Sequence, residues 1–483
     1  MGGCRMNQGI KKTFIAGVFW GVLEKFSVLF VGFFITILLA RKLTPADYGL
    51  VNMLYIFTLL ANVILDAGFG QALIQKKTVT DQDTSTVFYF NVVFSLFLYG
   101  LLYALAPYIA QFYRQPLLTD IARVSFLMIP VNSLCIIQHV LLTKNLKVKE
   151  LTIVSVSASF VSGVVGVFLA YTGHGVWALV FQGLTLQVVR AMILWTVGGW
   201  TPRWVFQLES IRSIWNFSLN ILGVGFLSAI FQNIYTVIIG RFYNVNEVGF
   251  YNQAQRLESV ASTAITSSIQ RVSFPAFAAL QDNKERLREA FKKVMDLAMY
   301  VHLPVMIGVI AVAHDLFLLL LGEKWLPSVP YFELLCIASA MYPLHMINVS
   351  VLKGVGLGKL YFRLEAVKRG LIVAFIFLTV RYSIYILLVG YVIATVSSTF
   401  LNMYCCGKAV EYKLIDQLKD LLPTLGCNLL MYCSIQLFHL CAFSPMYRLS
   451  LDIIGGILIY VLASYLLRVK PFFHLLNIIL KRC

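Results

Sequence analysis

The chain has 483 residues, of which 59% are hydrophobic and only 13% are charged, and its mean hydropathy is +0.80. Soluble globular proteins carry about 45–50% apolar and about 25% charged residues, so this composition excludes an ordinary soluble domain. The formal net charge is +17, but the basic residues lie in short loops between apolar segments. A nucleic-acid partner is not expected, because that would require a basic face on a soluble module.

The apolar segments are long enough to cross about 30 Å of hydrocarbon as α-helices. The strands of a β-barrel would instead alternate in polarity over about ten residues. We therefore predict an all-α integral membrane protein with about 14 transmembrane helices. In chain order, the predicted spans are 13–40, 47–72, 86–112, 119–142, 151–171, 175–198, 213–240, 248–275, 292–321, 328–352, 361–381, 384–407, 420–442 and 449–468.

Lys and Arg residues are concentrated in every second loop, as in the runs Lys284 to Lys293 and Lys353 to Arg369. Loops that stay in the cytoplasm carry the excess of Lys and Arg, so both termini are predicted to be cytoplasmic. The nine cysteines are scattered, mostly within predicted helices, and we expect them to act as small apolar packing residues.

A short pattern occurs twice, with a spacing of 200 residues, since Arg41 corresponds to Arg241. Each copy follows an apolar run and precedes another helical segment. The first copy is Ala40, Arg41, Asp47, Gly49 and Asn52, and the second is Gly240, Arg241, Glu247, Gly249 and Asn252. Internal repeats of helices are typical of transporters. We predict two pseudo-symmetric six-helix lobes, 1–200 and 201–415, followed by a helix pair and basic tail at 416–483.

Polar residues follow one face of the second and the eighth predicted helix, at spacings of three and four. In the second helix they are Asn52, Tyr55, Thr58, Asn62 and Asp66, and in the eighth Asn252, Arg256, Ser259, Thr263, Thr266 and Gln270. Equivalent polar faces in the two lobes indicate a water-filled cavity between them, because such faces are unstable against lipid. The alternative is that these side chains only join neighbouring helices.

Ionisable groups inside a membrane are functional candidates, because each costs at least about 2.5 kcal/mol at a helix centre. Lys25, Arg190 and Arg256 could bind an anionic headgroup, since guanidinium groups pair bidentately with phosphate oxygens. Asn252, Ser259 and Thr263 are the accompanying hydrogen-bonding candidates. Asp66, Glu258 and Glu24 are candidates for ion coupling or gating. For Arg190 snorkelling remains an alternative, and for Glu24 and Lys25 a structural ion pair.

Two further kinds of site are not expected. The run Gly354 to Lys359 lacks the spacing of a phosphate-binding loop, so a nucleotide cofactor is not predicted. The seven histidines show no metal-ligand spacing, and no metal is predicted. A membrane-embedded enzyme would need catalytic groups clustered in a sizeable loop, whereas the predicted external loops are short.

Several runs resemble the Wzx/WzxC-type oligosaccharide flippases of the multidrug/oligosaccharidyl-lipid/polysaccharide (MOP) exporter superfamily. The resemblance covers about residues 7–415. The runs are GFGQALIQ (68–75), VFYFN (87–91), GHGVWALV (173–180), VGFYNQAQRL (248–257), IQRVSFP (269–275) and LGEKWLPSVP (321–330).

The resemblance implies a bacterial inner-membrane protein that moves undecaprenyl-pyrophosphate-linked oligosaccharides to the periplasmic leaflet for lipopolysaccharide, capsule or exopolysaccharide assembly. It implies no enzymatic activity, and it places Arg256, Lys25 and Arg190 near the pyrophosphate. Membrane lipid, a polysaccharide polymerase and a chain-length regulator are the other partners considered. The alternatives are a multidrug or cation exporter of the same superfamily and a membrane-embedded enzyme of polysaccharide assembly.

Overall fold

The structure is a computed structural model that describes residues 8–66, 69–76, 79–439 and 444–480. Within these ranges the chain is helical and contains no β-strand. The chain folds into two compact units, residues 1–249 (unit 1) and 250–483 (unit 2). The predicted division at residues 200 and 415 stays a prediction, because compactness shows which helices pack together and not which helices move together.

Unit 1 contains nine helices within its described residues, and a tenth begins at its end. They are α1 (Gln8–Lys42), α2 (Pro45–Asp66), α3 (Phe69–Gln75), α4 (Asp81–Tyr113), α5 (Leu118–Ser125), α6 (Met128–Lys144), α7 (Val148–Tyr171), α8 (Val176–Gly198), α9 (Leu208–Phe242) and the start of α10 (Val245–Ala279). Aromatic residues fill part of its core, where Trp195 and Trp200 each pack edge-on against Phe88 at 5.7 Å between ring centroids.

Unit 2 continues α10 and adds nine further α-helices and one short 3₁₀ turn within its described residues. They are α11 (Lys284–Ala311), α12 (Ala313–Leu320), the 3₁₀ turn Glu323–Ser328, α13 (Val329–Ala340), α14 (Tyr342–Gly354), α15 (Gly358–Thr379), α16 (Ile384–Val410), α17 (Leu414–Phe438), α18 (Pro445–Leu466) and α19 (Lys470–Leu480). The pair α17 and α18 packs on α11 through a cluster that includes Tyr300, Met431 and Tyr460. A hydrogen bond from the Tyr460 hydroxyl to the Tyr300 carbonyl oxygen, 2.8 Å long, fixes this packing.

Twelve helical segments of the described chain are long and apolar enough to cross a membrane. The predicted count of fourteen is therefore not confirmed. The two predicted spans that fail this criterion, 248–275 and 361–381, are helical as α10 and α15, but they carry charged residues such as Arg256 and Lys368.

The structure also divides several predicted spans into two helices. The predicted span 292–321 is divided at Val312, where α11 ends and α12 begins. The span 328–352 is divided at Met341, just before Pro343 in the first turn of α14. The predicted basic tail contains the additional helix α19, which was not predicted from the sequence.

The short helix α3 ends against a lysine from another helix. The Lys144 ammonium group donates hydrogen bonds to the carbonyl oxygen of Leu73, at 2.9 Å, and to that of Lys76. The last carbonyl groups of a helix have no partner within the helix, and a cation there also interacts favourably with the helix dipole. Lys144 therefore ties the end of α3 to α6.

Replacing Lys144 with Met should lower the free energy of unfolding by about 1–3 kcal/mol, because carbonyl groups at the end of α3 would lose their donor. The thermal midpoint of the purified protein in detergent is the measurement. Lys147→Met, at an exposed lysine on the same connection, is the control and should leave the midpoint unchanged. Equal midpoints for the two variants would contradict this role of Lys144.

Candidate functional site

The two copies of the sequence repeat form equivalent helix starts. At the start of α2, the Thr44 backbone N–H donates to Asp47 Oδ2 at 2.8 Å, and the Asp47 N–H donates to Thr44 Oγ1 at 3.3 Å. At the start of α10, the Glu247 N–H donates to Asn244 Oδ1 at 3.0 Å. Both helices therefore begin with a side-chain cap at the same position of the repeat.

These two helix starts contact each other through the glycines of the repeat. A Cβ atom at Gly49 would lie 2.0 Å from the carbonyl oxygen of Val245, and one at Gly249 would lie 2.0 Å from that of Pro45. The two contacts are reciprocal, since residues 45 and 49 correspond to 245 and 249. Only glycine fits at either position, because the obstructing atom is backbone and cannot rotate away.

A polar cluster inside unit 1 includes two of the predicted site residues. Glu24 Oε1 on α1 accepts a hydrogen bond of 2.6 Å from the Ser155 hydroxyl on α7. His139 on α6 lies within electrostatic range of both Glu24 and Arg190, which is on α8. Glu24 and Arg190 therefore both contribute to the electrostatic surroundings of the same histidine. Ser155 and His139 were not predicted from the sequence, since neither residue type alone indicates such a role.

The other predicted residues of unit 1 have different surroundings. Lys25 is exposed, and as the next residue along the helix it projects about 100° around the axis from Glu24. Asp66 is the last residue of α2, and its carboxylate accepts a hydrogen bond from the backbone N–H of Gly70 in α3. Asp66 thus caps the first turn of α3 across the connection between these helices.

In unit 2, Glu258 is the most buried of the predicted site residues whose side chains the structure describes, with an exposed fraction of 8%. Its side chain forms hydrogen bonds with Ser339 on α13 and with Ser262 on its own helix. The Ser339 carbonyl oxygen in turn accepts a 3.0 Å hydrogen bond from His302 Nε2 on α11. Glu258 therefore joins a polar connection between α10, α13 and α11.

The remaining candidates of unit 2 lie on the same helix, α10. Arg256 is exposed and Asn252 is half-buried. The Ser259 hydroxyl donates to the backbone carbonyl oxygen of Arg256 at 2.8 Å, within its own helix. The side chain of Thr263 lies outside the described residues. Lys25 and Arg190 belong to unit 1 and Arg256 to unit 2, so the meeting of these three cations in one cavity stays a prediction.

The fold and this arrangement define a multi-pass helical membrane protein of the transporter class. The family model described as "Polysaccharide biosynthesis protein" matches residues 38–330, which is more than half of the chain. The chain therefore belongs to this polysaccharide biosynthesis family, and its resemblance to the Wzx-type flippases of the MOP superfamily is confirmed.

Two relatives illustrate the similarity in sequence. The teichuronic acid biosynthesis protein TuaB of Bacillus subtilis is 26% identical over 355 residues, which cover 73% of this chain and 74% of TuaB. The lipopolysaccharide biosynthesis protein WzxC of Escherichia coli is 23% identical over 339 residues, which cover 69% of this chain and 68% of WzxC.

The fold is similar to that of the lipid II flippase MurJ in its inward closed conformation, with a TM-score of 0.74. The superposition covers 93% of this chain and 98% of MurJ, at 14% identity. This likeness concerns the fold alone, and it confirms an all-α integral membrane architecture.

Gly49→Ala and Gly249→Ala should each weaken the contact between the starts of α2 and α10. Overpacking of this kind costs about 1–3 kcal/mol, which exceeds the gain of about 1 kcal/mol from replacing a helical glycine with alanine. We expect a lower thermal midpoint for both variants.

Gly100→Ala in α4 is the control, because a Cβ there would meet no described atom within 4 Å. That variant should keep or slightly raise the midpoint. If Gly49→Ala behaved like Gly100→Ala, the close approach at the repeat would be disproved.

Proposed function

We propose that this protein translocates undecaprenyl-pyrophosphate-linked oligosaccharide units across the bacterial inner membrane by alternating access. The observation that carries this proposal is the membership of the polysaccharide biosynthesis family. The fold shared with a lipid II flippase over nearly the whole chain supports it. The product would enter lipopolysaccharide, capsule or exopolysaccharide synthesis, and neighbouring polymerase and chain-length proteins are the partners proposed for it.

The substrate explains why a protein is needed. A pyrophosphate and many hydroxyl groups cannot enter hydrocarbon without losing their hydrogen bonds to water. The free-energy cost is on the order of 4–8 kcal/mol for each unpaired group, as for transfer from water to cyclohexane. A polar path through the protein removes most of this barrier. The polyprenyl tail is apolar and stays in the lipid.

The proposed substrate site consists of cationic and hydrogen-bonding side chains. Arg256, Arg190 and Lys25 neutralise the pyrophosphate, with the two guanidinium groups suited to bidentate contacts with phosphate oxygens. The exposure of Arg256 supports this role, because an exposed side chain is accessible to a ligand. Asn252, Ser259 and Thr263 lie on the same helix as Arg256 and form hydrogen bonds with the hydroxyl groups of the sugar next to the pyrophosphate.

The paired glycines support a specific place for closure. With both termini in the cytoplasm, α1 and α9 each end at the periplasmic face. The contacts of Gly49 with Val245 and of Gly249 with Pro45 would then close that face. Transport requires them to separate as lobe 1–200 rocks against lobe 201–415.

Glu258 is the proposed coupling residue, with Asp66 and Glu24 as secondary candidates. Its carboxyl group is buried among hydrogen-bonding partners on two helices, so protonation or binding of a cation there changes the connection between α10 and α13. Asp66 and Glu24 have local partners that give each of them a structural role as well.

The decisive experiment uses the purified protein in liposomes with a short polyprenyl-pyrophosphate oligosaccharide. Protection of the oligosaccharide from an external glycosidase measures its movement. Arg256→Ala should slow this movement roughly ten- to hundredfold, because a hydrogen bond to a charged group contributes about 1.5–3 kcal/mol. Arg381→Ala, at an exposed arginine between α15 and α16, is the matched control and should transport normally.

Transport of a hydrophobic cation but not of the oligosaccharide by the wild-type protein would replace the flippase proposal with the exporter alternative. Equal rates for Arg256→Ala and Arg381→Ala would leave the flippase function intact but remove Arg256 from the substrate site.

Glu258→Gln should abolish the response of transport to an imposed H⁺ or Na⁺ gradient, because the amide can neither be protonated in this way nor neutralise a cation. Movement down the substrate gradient should persist. Both rates can be followed in the same liposomes with and without an ionophore. Glu323→Gln, at an exposed carboxylate in the 3₁₀ turn, should respond like the wild type. A gradient response retained in Glu258→Gln would disprove the coupling role.

A further inference from the structure

Three metal-ligating side chains from separate parts of unit 2 converge at one end of the C-terminal helix pair. They are Asp315 on α12, His439 in the turn after α17 and Asp452 on α18. One ligand atom of each residue lies within 4.8 Å of those of the other two. The convergence joins α12 to both helices of the pair.

The two carboxylates are buried to an unusual degree, with side-chain exposures of 1% for Asp315 and 0% for Asp452. Arg448 compensates one of them. Its Nε and Nη2 atoms donate to the two oxygens of Asp315 at 2.5 Å and 2.6 Å. With one guanidinium group opposite two carboxylates, one negative charge remains on Asp452.

Asp452 also has unused ligand capacity. Its Oδ2 lies 2.8 Å from Nε2 of His439, while its Oδ1 has no hydrogen-bond partner among the described residues. A buried carboxylate must be neutralised, because moving an uncompensated charge out of water costs on the order of several kcal/mol. The neutralising group is either a proton shared by the His439–Asp452 pair or a cation held by the cluster.

We propose that Asp315, His439 and Asp452 form a binding site for a divalent transition-metal ion of the zinc type. Imidazole and carboxylate are ligands that Zn²⁺ accepts together, whereas Ca²⁺ and Mg²⁺ prefer oxygen ligands alone. Ligands about 2.0–2.1 Å from a tetrahedral ion lie roughly 3.3 Å apart. His439 Nε2 and Asp452 Oδ2 are 2.8 Å apart, so an ion between them would spread this pair.

Binding would require the three side chains to adjust, because their ligand atoms lie up to 4.8 Å apart. The ion replaces the proton on His439 Nε2, and this proton leaves to solvent. Arg448 keeps its contact with both oxygens of Asp315, and the ion would use a remaining lone pair of that carboxylate; outer partners of metal ligands orient them in this way. The fourth position of a tetrahedral ion would be open to a water molecule, as in zinc sites with three protein ligands. His439 is 26% exposed, which gives the ion a route from solvent.

The site would fasten the pair α17 and α18 to α12. The three ligands come from three elements, so the ion would connect these elements to one another. The opposite end of α17 is held separately, by the ion pair of Asp420 with Lys292 on α11. This role is independent of the transported substrate.

Equilibrium dialysis of the full-length, chelator-treated protein against Zn²⁺, with metal analysis of the protein fraction, tests the site. We expect one saturable equivalent, release of a proton on binding, and a thermal midpoint that rises and saturates with the ion. Asp452→Asn and His439→Gln should weaken binding at least tenfold. His474→Gln, at an exposed histidine on α19 in the same unit, should bind as the wild type does.

Binding and proton release by the wild-type protein are measured first, so the test does not depend on the folding of any variant. The absence of a saturable equivalent would overturn the proposal and assign the neutralising charge to a proton shared by the His439–Asp452 pair. Saturable binding that Asp452→Asn and His439→Gln leave unchanged would also overturn it, because the ion would then lie elsewhere.

Discussion

The close backbone approach at Gly49 and Gly249 is the constraint on which the repeat depends. The first turns of α2 and α10 lie side by side in unit 1, and each packs its glycine against a carbonyl oxygen of the other. Helix starts carry partial positive charge, so bringing two together is unfavourable unless negative charge lies nearby. Asp47 and Glu247, in the first turns of α2 and α10, supply that charge and also help to form the caps.

This constraint accounts for the kinds of residue that recur in the sequence. Glycine is needed for the approach, a carboxylate for the first turn, and a capping side chain before it. At positions 44 and 244 the capping residues differ, Thr and Asn, but both accept a hydrogen bond from the helix start. The recurrence therefore follows from the packing of two similar helix starts, and the same packing explains why so few positions of the repeat needed to stay alike.

Hydropathy predicted nearly all the helices, but not where some of them break. The break at Val312 is followed directly by His314 and Asp315, but two polar residues in an otherwise apolar stretch do not by themselves indicate a helix break. For the break before α14, Pro343 was a usable indication, because proline favours the first turn of a helix. The candidate site residues were selected from the sequence because an ionisable group within a membrane span is energetically costly. Their partners could not be selected in this way. Glu24 is 131 residues from Ser155, and Asp315 is 133 residues from Arg448, so no local pattern connects the members of either pair.

The partners also separate two kinds of charged residue in this protein. Where a charge has a partner on another helix, as Asp315 does in Arg448, its first effect is to hold helices together. Glu258 has neutral hydroxyl partners, Ser339 and Ser262, which satisfy hydrogen bonds but do not compensate its charge. A buried carboxyl group of this kind is stable either as the neutral acid or as a carboxylate whose charge is balanced by an ion or a cationic side chain. In the proposed mechanism, a change in that balance at Glu258 would alter the connection between α10 and α13, and this change would couple an ion to transport.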